Sequence, residues 1–221
     1  MNGEELMASR FGKKWEERES NPIKSALRPS APLKSKIELA IRRIEAQIQY
    51  LDSTLTRLSD RDKFLFSKVV EAYSQHQTQR ASVFANELAE LRKMATFMMN
   101  SELALERVVL RLRTVSQLGN VVVTLAPATQ VLHNVRSGIA GLLPNAEREL
   151  GSVGIMLNDM IVEAGQTSGI APDFDVASED AAKILNEASV VAEQRMKEKF
   201  PSLSSLKKAE ASDEGFGSSE Y

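Results

Sequence analysis

The chain has 221 residues, of which 43% are hydrophobic, enough to bury a core and to exclude wholesale disorder. It contains no cysteine, so disulfides, thiolate metal sites and cysteine nucleophiles are excluded, and a reducing cytosol suits it. Its net charge of −2 hides a division: 16 Lys/Arg against 10 Asp/Glu from Asn21 to Arg113, and 5 against 11 from Leu142 to Phe200. A basic front half (+6) and an acidic back half (−6) can attract each other or an outside partner.

In chain order, the first segment (1–20) reads as an amphipathic helix. Leu6, Met7, Phe11 and Trp15 fall on one side, flanked by Arg10, Lys13, Lys14 and Arg18. A Trp-containing apolar stripe with flanking cations suits a membrane interface. A capping helix on the core or a loose arm fits the same residues, because Glu4, Glu5, Glu16, Glu17 and Glu19 sit among the bases. Lys24, Arg28, Lys34, Lys36, Arg42 and Arg43 follow as a footprint for anionic lipid.

Between Leu33 and Leu118 there is neither Gly nor Pro, so the spacing predicts long helix. Ile37, Ile41, Ile44, Ile48, Leu51, Leu55 and Leu58 recur at spacings of 4 and 3, a heptad seam for a partner helix. Ser59-Asp60-Arg61-Asp62 reads as a turn with a capping box, which gives helix 1 over 34–58 and helix 2 over 61–114. Helix 2 would be roughly 80 Å long, with helix 1 covering only its near half. The far half is apolar over a wide arc that either the later helices or a neighbouring subunit must cover, and Leu91, Met94, Met98, Leu105, Val109 and Leu112 are expected to form a subunit–subunit interface there.

Helix 3 is expected over 126–141 and helix 4 from Pro144 to about Gly165. A linker (166–175) and an acidic helix (176–200) follow, with Glu179 and Asp180 at its start and Lys197 and Lys199 at its end, as the helix dipole favours. The tail (201–221) is Ser- and Gly-rich. The fold class is all-α and elongated. No run reaches the length of a spanning helix, and no secretion signal opens the chain, so any membrane role is expected to be peripheral.

No catalytic constellation emerges, and no cofactor or metal is expected. Gly138-Ile139-Ala140-Gly141 lacks the Lys-Ser/Thr of a phosphate loop, and His76 and His133 each fall in expected helix without a ligating neighbour. The basic helix lacks the interleaved aromatics and overall positive charge of a nucleic-acid binder.

The seam Ile37–Leu58, the SDRD turn, the long helix through TFMMNSELALERVVLRLR and the acidic helix ASEDAAKILNEASVVAEQRMKEKF together resemble the ESCRT-III family. Residues 30–200 carry the likeness, and length and tail are nearest the archaeal CdvB-type division proteins, as a paralogue without the winged-helix domain. The resemblance implies an ESCRT-III-like core (21–165), homo- and hetero-filaments with related paralogues on the inner face of the membrane at the division site, and septation by constriction. It also implies a closed-to-open switch through the acidic helix and recycling by an AAA ATPase. That ATPase grips a C-terminal motif with its MIT domain. Glu193, Met196, Lys199, Phe200 and Leu203 follow the family's helical motif with substitutions, whereas Phe200, Pro201, Leu203 and Leu206 suit its extended, proline-containing one; the sequence leaves both open. Bacterial PspA-like relatives share the hairpin, and a soluble coiled-coil scaffold without membrane activity would carry the same heptads.

Overall fold

The computed structural model describes residues 31–118, 121–169 and 173–200. Of these, 94% are helical and none is in a strand, so the expected all-α class is the observed one. Five helices follow in order: α1 (Ala31–Ser74), α2 (Thr78–Leu118), α3 (Val121–Ile139), α4 (Pro144–Ser168) and α5 (Phe174–Lys199).

The hairpin of α1 and α2 rests on the heptad seam. Ile37, Ile44, Leu51 and Leu55 are buried, while Ile41, Ile48 and Leu58 are half-buried against the same core. The seam does not stop at Leu58. The 4 and 3 spacing runs on through Asp62, Leu65, Val69 and Ala72, and Leu65 and Ala72 are buried. Asp62 thus occupies a core position of a continuous helix. It is 4% exposed, and Arg92 of α2 donates to both of its carboxyl oxygens, Nε at 2.6 Å and Nη2 at 3.0 Å. A carboxylate in a seam is tolerated when a guanidinium fork meets it this way. The expected turn at Ser59–Asp62 is therefore corrected: α1 continues 16 residues beyond Leu58, to Ser74.

The actual reversal lies at 75–77. Gln77 N–H donates to Ala72 O at 2.9 Å and His76 N–H to Tyr73 O at 3.0 Å, the paired bonds of a Schellman end. His76 takes the left-handed conformation (φ 59) that glycine more often fills. It is a turn residue and does not lie within a helix as the sequence suggested. With 44 and 41 residues, α1 and α2 are about 66 and about 62 Å long. The overlong second helix with an uncovered far half is therefore corrected to two helices of similar length.

The remaining boundaries shift modestly. Helix α3 starts five residues before the expected 126, because Val121, Val122 and Leu125 pack into the core ahead of Pro127. Pro144 opens α4 as expected, but α4 passes through Gly165 and ends at Gly169, whose φ of 69 and N–H to Gly165 O (2.8 Å) close it. Asp173 caps α5 by accepting from the N–H groups of Asp175 (3.1 Å) and Val176 (3.2 Å).

Helices α3 and α4 form a second hairpin. It lies along the first, with α4 against α1 and α3 against α2, and α5 lies on α2 and α3. Lys36 Nζ reaches Glu163 Oε2 of α4 at 2.6 Å, and Arg43 Nη1 donates to Ser152 Oγ at 3.0 Å. Gly138 of α3 meets Phe97 of α2 so closely that an added Cβ would lie 1.8 Å from the ring's Cζ. The glycine that superficially resembled part of a phosphate loop is thus a close-packing site between helices.

Candidate functional site

The arc of α2 read as a polymer contact is inside this fold. Leu91, Met98, Leu105, Val109 and Leu112 are buried and Met94 is half-buried. They lie on a helix that packs against α1, α3 and α5. Of the two covers that the sequence left open, the chain's own helices are the one observed, and the reading of the arc as a free subunit contact is corrected; any role in polymer contacts requires that a covering helix leave.

Helix α5 is the cover most suited to leaving. Its inward stripe is Ala177, Ala181, Ile184, Ala188 and Ala192, all buried, with Leu185, Val191 and Met196 half-buried beside it. Alanine lets the helices approach closely but brings little area, since each buried CH2-sized group contributes about 0.8 kcal/mol. The Ile/Leu seam of α1 buries far more per turn.

Charge supplements this thin apolar contact. Arg107 of α2 pairs with Glu187 of α5, Arg111 with Asp180 (3.5 Å), and Lys199 with Asp52 of α1 (3.7 Å). The attraction expected between basic hairpin and acidic helix thus takes the form of specific pairs. Asp180 is held below the usual carboxylate range first by its hydrogen bond from Lys183, with the Arg111 charge adding to it against burial. These side chains are roughly one-third to one-half exposed, so each pair contributes at most about 1 kcal/mol. Added salt should weaken them further.

At the C-terminal end of α5, Glu193 and Lys199 are exposed, Met196 is half-buried and Phe200 is 6% exposed. An ATPase motif must be reachable by its partner, and the residues read as that motif follow the last expected helix or end it. The expected reach is corrected for Met196 and Phe200, which the chain's own core holds. Pro201, Leu203 and Leu206 lie outside the described residues.

The basic footprint divides. Lys36 and Arg43 turn toward α4 through Glu163 and Ser152, while Lys34 and Arg42 are exposed. Leu6, Met7, Phe11, Trp15, Lys24 and Arg28 lie outside the described residues. No described helix is long and apolar enough to cross a membrane.

Two features of this interface escaped the sequence reading. Glu102 of α2 is only 6% exposed, and its Oε2 accepts no hydrogen bond; neither does the buried Oδ1 of Asn100. Burial pushes the Glu102 carboxyl up, and Asp52 and Glu106 push it further, against Lys199 and Arg195. Its sequence signal was a carboxylate amid Met98, Met99, Leu103, Ala104 and Leu105. Asn100 borders a cleft of about 240 Å³ between α2, α3 and α5, lined also by Phe97, Ser101, Asn134, Val135 and Leu185.

No protein-family model matches the chain, and no solved structure does. Curated relatives do. The chain is 39% identical over 198 residues to Cell division protein B1 of Sulfolobus acidocaldarius, covering 90% of this chain and 91% of that protein. It is 32% identical over 161 residues to Cell division protein B of the same organism, covering 73% of this chain and 62% of that longer relative. A likeness at this identity over nearly the full length of both chains shows common descent, and the chain belongs to the Cell division protein B (CdvB-type) family.

Proposed function

We propose that this protein acts in cell division as a non-enzymatic filament subunit of the ESCRT-III kind. It polymerises on the inner face of the membrane at the division site and constricts the neck. The observation that carries the reading is the cover of α5 over an apolar arc of α2. A chain that closes α2, whose Leu105, Val109 and Leu112 are buried, with a helix whose fully buried stripe is four alanines and one isoleucine holds an adhesive surface behind a weak lid. Releasing α5 offers that surface to a second copy or to a related paralogue.

The same release frees Met196 and Phe200, so polymerisation and access for a recycling AAA ATPase are coupled in this reading. Membrane attachment combines the apolar N-terminal residues Leu6, Met7, Phe11 and Trp15 with Lys34 and Arg42, because stable peripheral binding takes two signals. Liposome co-sedimentation of the full-length protein, imaged by electron microscopy, tests the reading. Ordered filaments on anionic vesicles are expected. A protein that stays in the supernatant and forms no polymer under opening conditions is instead a soluble helical scaffold.

A further inference from the structure

Glu102 is the one carboxylate among the described residues that is both buried in the hydrophobic contact and short of a hydrogen-bond acceptor's partner. Its position gives that defect a consequence. The charges that face it are Asp52 of α1, Glu106 of its own helix, and Arg195 and Lys199 from the last two turns of α5. Lys199 also pairs with Asp52, so the end of α5 is fastened over this group of carboxylates. A cleft of about 240 Å³ beside Leu185 leaves that part of the contact between α5 and its neighbours unfilled.

We propose that Glu102 is a proton-operated latch for α5: the neutral carboxyl is compatible with the closed lid, and the carboxylate drives the lid off. This rests on the closure reading above and adds its trigger. A neutral carboxyl buried in the seam costs one imperfect hydrogen bond. An ionised one lies in an apolar contact beside two other carboxylates, and Lys199 and Arg195 answer it only in part. When α5 leaves, Glu102 meets water and can ionise freely.

The direction follows from linkage. In the closed form the Glu102 carboxyl is raised above the ordinary value of 4.5, first by burial. Closure therefore takes up a proton in the window between the ordinary and the raised values. The contribution to closure is complete below that window and is lost as pH rises through the raised value. Acidification fastens the lid, and alkalinisation releases it.

The test uses the full-length chain, which has no native cysteine. Val83→Cys and Val190→Cys, at positions 64% and 66% exposed, carry a donor and an acceptor dye that report the separation of α5 from the hairpin tip. Titrations run in low and high salt, with helix content followed alongside. In the parent, the closed-to-open ratio should fall with rising pH by up to about tenfold per unit within the window, the limit for one proton. Glu102→Gln, a neutral isostere, should stay closed across the same range, and Glu102→Asp should keep a pH response. A parent that opens in high salt yet gives the same profile as Glu102→Gln overturns the latch and leaves the closure reading standing. A lid that never leaves, at any salt or pH, overturns both.

Discussion

Asp62 and Arg92 face each other across the hairpin in a two-pronged ion pair, with the carboxylate in the seam and the guanidinium 26% exposed at its edge. The two halves of the pair are therefore unequal. Replacing Arg92 by Met strands a carboxylate that is 6% exposed, and should cost about 2–4 kcal/mol of stability. Replacing Asp62 by Leu puts an apolar group into an apolar seam position and should stay within about 1 kcal/mol of the parent. Denaturant melts of both variants decide the matter; equal losses would mean that Asp62 is not a seam residue in solution.

Two helical glycines should respond oppositely to alanine. Gly154 of α4 has open space around its missing Cβ, so Gly154→Ala should stabilise by up to about 1 kcal/mol through helix propensity alone. Gly138 abuts Phe97, and Gly138→Ala must push the ring out of a packed contact, with a net loss of about 1 kcal/mol or more. Thermal unfolding of the two single variants measures both signs.

The lid should depend on Ile184, the one large side chain of its fully buried stripe, more than on its charges. Arg107→Ala or Arg111→Ala removes a partly exposed pair and should shift closure by less than about 1 kcal/mol. Ile184→Asp places a charge in the buried stripe and should release α5 outright. The separation of dyes at Val83→Cys and Val190→Cys reports release; a wider separation in the arginine variants than in Ile184→Asp would reverse this ranking.

For the membrane, Lys34→Gln with Arg42→Gln should weaken binding to anionic vesicles by up to about 1 kcal/mol per residue at low salt. Lys36→Gln with Arg43→Gln should do less in the closed form, because those side chains are engaged by Glu163 and Ser152. Pelleting of the two double variants in a salt series distinguishes them, and equal losses would mean that α4 does not hold Lys36 and Arg43 back.

Much of this architecture was legible because Ile and Leu advertise their period. Ile37 to Leu58 fixed the hairpin, and Pro144 and the acidic start of the last helix fixed α4 and α5 to within a few residues. The reversal was misplaced because it uses neither Gly nor Pro: His76 adopts the left-handed conformation, while Ser59 and Asp62 imitate a cap. The docking of α5 on the basic hairpin was legible in the opposite charges of the two halves, but its contact stripe was not, because alanines carry almost no hydropathy signal. Met98 and Leu105 are buried as well, so charging them would disrupt the monomer's own core and would not test assembly cleanly. Glu102 was hidden for the opposite reason, as one carboxylate in a helix full of them, set apart only by which way the helix turns.

The central claim is that α5 masks the assembly surface, and the most direct measurement is the critical concentration for filament formation by the full-length chain and by Ile184→Asp with Ala188→Asp. Sedimentation across a concentration series on anionic vesicles gives the threshold, and electron microscopy shows whether the pellet is ordered. The account predicts ordered filaments at a threshold at least about tenfold lower in the open variant, the equivalent of about 1.4 kcal/mol of closure removed. Equal thresholds at every salt concentration, with α5 shown by proteolysis to be released in the variant, would contradict it.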